Sequence, residues 1–133
     1  MLGVHLCPRH TDGDTTWTPL VTTPPIPEHD SAHAVQGAAA AQVLKRFFGT
    51  DNISFETCSL TLPEGQTCAD TSPVRRSYTS FTEAADENGT ARILVGFHFR
   101  HAVDEGIEHG RHIADHTVDQ SLRLVSRQPP RVF

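Results

Sequence analysis

With 133 residues the chain amounts to at most one ordinary domain, and its 37% apolar and 20% charged residues fit a soluble globular protein with a modest core. A net charge of −5, and no basic cluster beyond isolated pairs such as Arg75-Arg76, argue against nucleic-acid binding. No apolar run approaches the roughly 18–20 residues of a membrane span, and the opening MLGVHLCPRH lacks the charged-then-apolar pattern of a signal peptide.

Residues 1–16 show neither helical nor strand periodicity and read as an irregular segment. WTPLVTTPPIPEHD, at 17–30, holds four of the nine prolines. Proline fixes its own dihedral and pushes its predecessor toward extended geometry, so this is an ordered extended arm, with Trp17, Leu20 and Ile26 as apolar anchors. A plain linker is the alternative.

A helix follows over 34–48, with Asp30 or Ser31 as N-cap and Gly49 as C-cap. Val35, Ala38, Ala41, Leu44, Phe47 and Phe48 place apolar groups on nearly all sides, which predicts burial on most faces. Residues 50–76 read as a long irregular excursion that packs on a larger body. Cys58 and Cys68 lie in it, bracketing a turn at Pro63-Glu64-Gly65, and a disulfide there would close easily in an oxidising compartment. Their spacing is wrong for a zinc knuckle, and Cys7 has no obvious partner.

Ser80-Phe81-Thr82-Glu83 is a capping box that opens a second helix running toward Val95, with Gly89 its weak point. A third helix spans about 101–124. Ala102, Gly106, Gly110 and Ala114 recur every four residues along it and permit a close helix–helix approach. The remainder, 125–133, is a coil tail. The expected fold is all-α: a partial helical bundle of three main helices with a proline-rich arm and a long loop.

Two stretches carry chemistry. In TARILVGFHFRHAVDEG, at 90–106, the six-residue step from Arg92 to His98 is nearly two turns of a helix at about 3.6 residues per turn, so both can face one pocket. Arginine offers a rigid fork of donors for an oxyanion, and histidine can serve as nucleophile, acid–base group or ligand. Upstream, Ser31, Ala32 and His33 lie at a helix N-terminus, where unpaired N–H groups and the dipole favour an anion. Each stretch alone also reads blandly, as a capped helix with an incidental histidine or as a surface arginine and a core histidine.

Together, PPIPEHDSAH at 24–33 and ARILVGFHFR at 91–100 resemble the P-S-G-H and S-R-x5-H motifs of vanadium-dependent haloperoxidases and the related type 2 phosphatidic acid phosphatases. Their order, the helix ending in FFG and the SFTEAADE stretch resemble the haloperoxidase branch. The resemblance covers 17–124 and implies the C-terminal part of such a domain, carrying its second and third motifs. It implies that His98 ligates vanadate, or attacks phosphorus in a phosphatase. It further implies that Arg92 and Ser31 bind the anion's oxygens, that the backbone N–H of Ala32 does the same, and that His33 is the acid–base group. Vanadate would be the cofactor, with phosphate a competing anion, and hydrogen peroxide and halide the substrates. An acid phosphatase acting on a phosphoester through a phosphohistidine is the alternative.

The sequence departs from the family pattern in several places. The K-x6-R-P motif has no counterpart, and the single lysine, Lys45, follows the second motif. Ala91 stands for the motif's first serine, Ala32 for its glycine and Asp30 for its proline. Ala102 replaces the expected aspartate, which leaves Asp104 or Glu105 to orient His98. The expectation is therefore a fragment or a degenerate relative, with a missing N-terminal half or an oligomeric partner supplying the lost cations, and an extracytoplasmic location for the full-length protein. A non-catalytic remnant is one competing reading. A metal-binding helical module is another, because His109, His112 and His116 form one helix stripe.

Overall fold

The computed structural model describes residues 14–58, 64–69 and 75–121. Segments 1–13 and 122–133 lie outside the described residues, and with them Cys7, the end of the expected third helix and the coil tail. In chain order the elements are α1 (Ala32–Phe48), β1 (Phe55–Cys58), β2 (Arg75–Tyr78), α2 (Phe81–Leu94) and α3 (Arg100–Gln120). The architecture is mostly helical, as expected from the sequence, with one small two-stranded sheet added. No helix among the described residues is long and apolar enough to cross a membrane.

Each helix boundary has a local cause. α1 starts after Ser31 in extended geometry and stops at Gly49, whose φ of 71° only glycine adopts freely and whose N–H caps the Lys45 carbonyl. At α2 the Ser80 hydroxyl accepts from Glu83 N at 3.0 Å, while the Glu83 carboxylate accepts from Thr79 N at 2.6 Å. The reciprocal bond of the capping box therefore falls one residue further upstream than the usual N-cap.

α1 is the central element, packed by both other helices, and α3 lies against it through small residues. A Cβ placed on Gly110 would sit 2.3 Å from the Val35 carbonyl oxygen, and one on Gly106 would sit 3.0 Å from that of Ser31. This backbone-to-backbone approach is what the four-residue spacing foretold. At the far end Arg46 bridges Asp115 and Asp119, and Gln42 also donates to Asp115 at 2.9 Å. Gly89 is not a weak point. α2 runs unbroken through it, and its missing side chain makes room for Val103, 2.9 Å from where a Cβ would lie.

The excursion at 50–76 is only partly irregular. β1 and β2 pair antiparallel with Phe55 opposite Tyr78, and Cys58 is joined to Cys68 by a disulfide with Cα atoms 5.8 Å apart. Phe55 and Phe48 both pack on Phe81, which anchors the hairpin to the start of α2.

The core is thin. Its buried apolar side chains are Ala34, Ala38, Phe81, Ala85, Ala102, Val103 and Ala114. The expected burial of α1 on most faces does not hold within this chain, because Phe47 is 79% exposed and Leu44 and Phe48 are exposed as well. Helical periodicity sets which side chains are apolar, whereas covering them requires a surface. At that end α2 offers only Phe81, to Phe48, and α3 only the carboxylates that pair with Arg46, which leaves Leu44 and Phe47 exposed. Leu20, an expected anchor, is 80% exposed. Trp17 and Ile26, the other two, are exposed as well, at 59% and 42%, although the Trp17 ring edge lies 2.9 Å from the position of a Cβ on Gly96.

Candidate functional site

The arm is laced to the start of α3 residue by residue. Ser31 N donates to the Ala102 carbonyl at 3.1 Å, and the Ser31 carbonyl accepts from Val35 N at 3.0 Å. The buried Ala102, where the resemblance expects an aspartate, thus serves through its backbone. Ser31 is the N-cap of α1, yet its hydroxyl makes no capping bond. It is fully buried and unpartnered among the described residues. Beside it the first turn of α1, with Ala32 and His33 both exposed, presents N–H groups that have no acceptor within the helix.

Arg92 and His98 come together by a turn and not by two turns of one helix. α2 ends at Leu94, and Gly96 then takes a positive φ of 82°. The chain folds back so that the Arg92 carbonyl accepts from Phe97 N at 3.0 Å and from His98 N at 3.3 Å. Gly96 therefore makes a defined reversal under the Trp17 ring. The Arg92 guanidinium lies 4.5 Å above the centre of the Phe97 ring, a cation–π contact that fixes its plane, and its Nε is buried without a partner.

His98 is buried, and its Nδ1 lies 2.6 Å from the Glu28 carbonyl oxygen. A carbonyl can only accept, so Nδ1 carries the proton and Nε2 of the neutral ring keeps its lone pair. That Nε2 is also buried and unpartnered. Neither Asp104 nor Glu105 orients His98, as the sequence suggested. Both are exposed on α3, and Glu105 approaches His101. Glu28 takes that part, and its carboxylate also accepts from Phe99 N at 2.9 Å.

His33 completes the group. Partial burial, followed by the positive charge of Arg92 and electrostatic coupling to His98, holds its imidazole below the ordinary histidine value, which places the three side chains within electrostatic reach of one another. Asn88 donates to the His33 carbonyl at 2.7 Å and ties α2 to the first turn of α1.

Asp30, the carboxylate next to this site, is turned aside. His29 Nδ1 lies 2.7 Å from one of its oxygens and His109 Nδ1 2.8 Å from the other. His112 pairs with Glu108 at 3.0 Å, so the stripe at 109, 112 and 116 is split between separate carboxylates. No group of three such side chains among the described residues could hold a metal ion. Lys45 lies 13 residues along α1 from Ala32, about 20 Å away at about 1.5 Å per residue, and supplies no charge here. Sequence reasoning missed Glu28, and it named His109 only as part of a metal-binding stripe and not as the partner of Asp30. The partners lie 70, 71 and 79 residues apart, and no local spacing marks such pairs.

Ser31 Oγ, Arg92 Nε and His98 Nε2 are the buried side-chain polar atoms without a partner among the described residues. Leaving such an atom unsatisfied costs about 1–3 kcal/mol each. A proton-donating hydroxyl, a guanidinium N–H and an imidazole lone pair form a donor set suited to an oxyanion whose central atom accepts a nitrogen ligand.

A family model described as the VCPO second helical-bundle domain matches residues 7–127. No curated protein matches the chain. Among solved structures, the chain is similar to a bacterial vanadium-dependent iodoperoxidase at 38% identity and a TM-score of 0.64, covering 77% of this chain and 23% of that one. It is also similar to a bacterial vanadium-dependent chloroperoxidase in its holo form, at 22% identity and a TM-score of 0.58, covering 75% of this chain and 22% of that one. The apo form gives 20% identity and a TM-score of 0.56, over 74% and 22%. The two chloroperoxidase structures speak for the fold alone. This chain spans about a quarter of the length of these structures. With a family match over nearly its whole length and the same helical architecture, the chain belongs to the vanadium haloperoxidase superfamily, in the part of the fold that forms the second helical bundle.

Proposed function

We propose that residues 17–124 form the anion-anchoring, C-terminal part of a vanadium-dependent haloperoxidase, which uses hydrogen peroxide to oxidise a halide. The observation that carries this reading is the set of unpartnered buried atoms on Ser31, Arg92 and His98. They are the residues on which the resemblance places vanadate. His98 would ligate through Nε2. Arg92 Nε–H, the Ser31 hydroxyl and the Ala32 N–H would donate to the anion's oxygens. When bound, vanadate supplies a Lewis-acidic centre at which peroxide is activated.

The chain's own residues do the rest. The Glu28 carbonyl holds the proton of His98 on Nδ1, and the Phe97 ring holds the guanidinium plane. Near neutral pH the lowered affinity of His33 for protons leaves its imidazole free to accept one from an arriving peroxide. Iodide is the first halide to assay, following the 38% identical iodoperoxidase. That similarity also favours halide oxidation over hydrolysis of a phosphoester by the same donor set.

The sequence lacks the two cations of the K-x6-R-P motif. Charge-assisted donors contribute about 1.5–3 kcal/mol each, so their loss weakens anion binding by roughly a hundredfold or more. The test is a vanadate titration of the isolated chain by calorimetry and vanadium NMR. Binding weaker than micromolar, abolished in His98→Ala and in Arg92→Ala, is the expected result. Equal signals from wild type and His98→Ala would overturn the site, and micromolar binding by wild type would overturn the argument about the missing cations.

A further inference from the structure

We propose that Glu28 is the positioning residue for His98, gripping the ligand loop at two consecutive residues and setting the imidazole tautomer that ligation requires. The assignment rests on the reading of His98 as the ligating histidine, but its test needs no anion.

Three observations carry it. First, the Glu28 carbonyl oxygen lies 2.6 Å from His98 Nδ1 and the Glu28 carboxylate accepts from Phe99 N at 2.9 Å, so one residue of the arm holds two neighbours across a separation of 70 residues. Free histidine prefers its proton on Nε2, which is the wrong nitrogen for a ligand that must coordinate through Nε2. Only a fixed acceptor at Nδ1 reverses the preference.

Second, Phe99 is the N-cap of α3, so the Glu28 carboxylate sits at the positive end of the helix dipole. The bond to Phe99 N is thereby charge-assisted, and it keeps the backbone of residue 28 within reach of the ring. Third, the ring is 6% exposed, which leaves little room for water to replace a lost acceptor. Without the carboxylate the arm keeps its ties on either side, by Trp17 against Gly96, by the Asp30 carboxylate on His109 and by Ser31 N on the Ala102 carbonyl, but loses the one made by the Glu28 side chain. The acceptor for Nδ1 would then sit on a peptide no longer held at residue 28 itself.

The experiment is nitrogen-15 NMR of the imidazole ring in the full chain at about pH 8.5, where histidines are neutral. In wild type, His98 Nδ1 is expected in the range of a protonated ring nitrogen and Nε2 in that of an unprotonated one. Glu28→Ala is expected to move both signals toward the averaged values of free imidazole and to speed hydrogen exchange at Phe99 N. Glu28→Gln, whose amide oxygen can accept the same bond, is expected to retain the wild-type pattern. If Glu28→Ala fails to fold by circular dichroism, Glu28→Asp carries the same expectation as Glu28→Ala, because it withdraws the carboxylate by one methylene and keeps its charge.

A proton on Nε2 in wild type overturns the proposal, as does an unchanged tautomer signature in a folded Glu28→Ala or Glu28→Asp. A wild-type chain that shows the expected signature yet binds no vanadate defeats the anion-site reading and leaves the Glu28 assignment standing. Vanadate binding with the opposite tautomer does the reverse.

Discussion

Gly110→Ala probes the contact on which the whole arrangement depends. A methyl group at this position would lie 2.3 Å from the Val35 carbonyl oxygen and 3.0 Å from both Ala38 Cβ and Ala39 N. Unstrained contacts settle near about 3.5 Å, so α1 would have to retreat from α3 by roughly 1 Å. The obstacle is a helix backbone, which cannot rotate out of the way as a side chain does. Overpacking of this kind costs about 1–3 kcal/mol, and the backbone obstacle puts this case at the upper end. Alanine's better helix propensity returns about 1 kcal/mol, leaving a net loss of about 2 kcal/mol, roughly thirtyfold in the folding equilibrium. Urea denaturation followed by far-UV circular dichroism reads this directly. Gly37→Ala is the control, because its methyl meets the Asn88 amide at 2.9 Å, a side chain that can shift at the cost of its bond to the His33 carbonyl, a loss that alanine's helix propensity offsets. Stability within about 1 kcal/mol of wild type is expected there. A Gly110→Ala chain as stable as wild type would refute the close-packed α1–α3 seam.

His33 should titrate below its ordinary value of 6.5 in the folded chain, and Arg92→Gln should raise the midpoint by removing one of the charges that depress it. The unfolded chain binds the proton first as pH falls through that value, so this group withdraws stability on acidification, in the window below 6.5. A histidine NMR titration with a midpoint at or above 6.5 would contradict this. Reduction of the Cys58–Cys68 bond, which closes a loop of sequence separation 10, should lower stability by at most about 3 kcal/mol. Thermal melts with and without a thiol reductant check it, and an unchanged midpoint would show that the loop contributes nothing.

The three helices were legible because each carries its own punctuation: Ser31 and Gly49 around α1, the Ser80-to-Glu83 box before α2, and the small-residue period of α3. β1 and β2 were not, since Phe55–Cys58 and Arg75–Tyr78 are four residues each and exist only through pairing with one another. Charged Arg75 and Arg76 hide the second strand further. At the site, residue identity pointed to Ser31, His33, Arg92 and His98; in the structure His33 lies within electrostatic reach of Arg92 and His98, and Ser31 is tied to Ala102 at the start of α3. Arg92 and His98 meet through a glycine reversal that helical spacing does not describe. Glu28 was hidden for a different reason. Half of its contribution comes from a backbone carbonyl, which every residue possesses and no motif records.

Asp30 stands at the proline position of the P-S-G-H motif that residues 24–33 resemble, and its carboxylate is held between His29 and His109. A proline ring restrains the backbone covalently and locally, whatever the rest of the molecule does. The hydrogen-bonded aspartate is tied to the helix only while α3 is in place to offer His109. Here the start of α1 and the middle of α3 are mechanically one part. A displacement of α3 drags the Ser31 hydroxyl with it, and stiffness that elsewhere belongs to a single residue is shared between two helices.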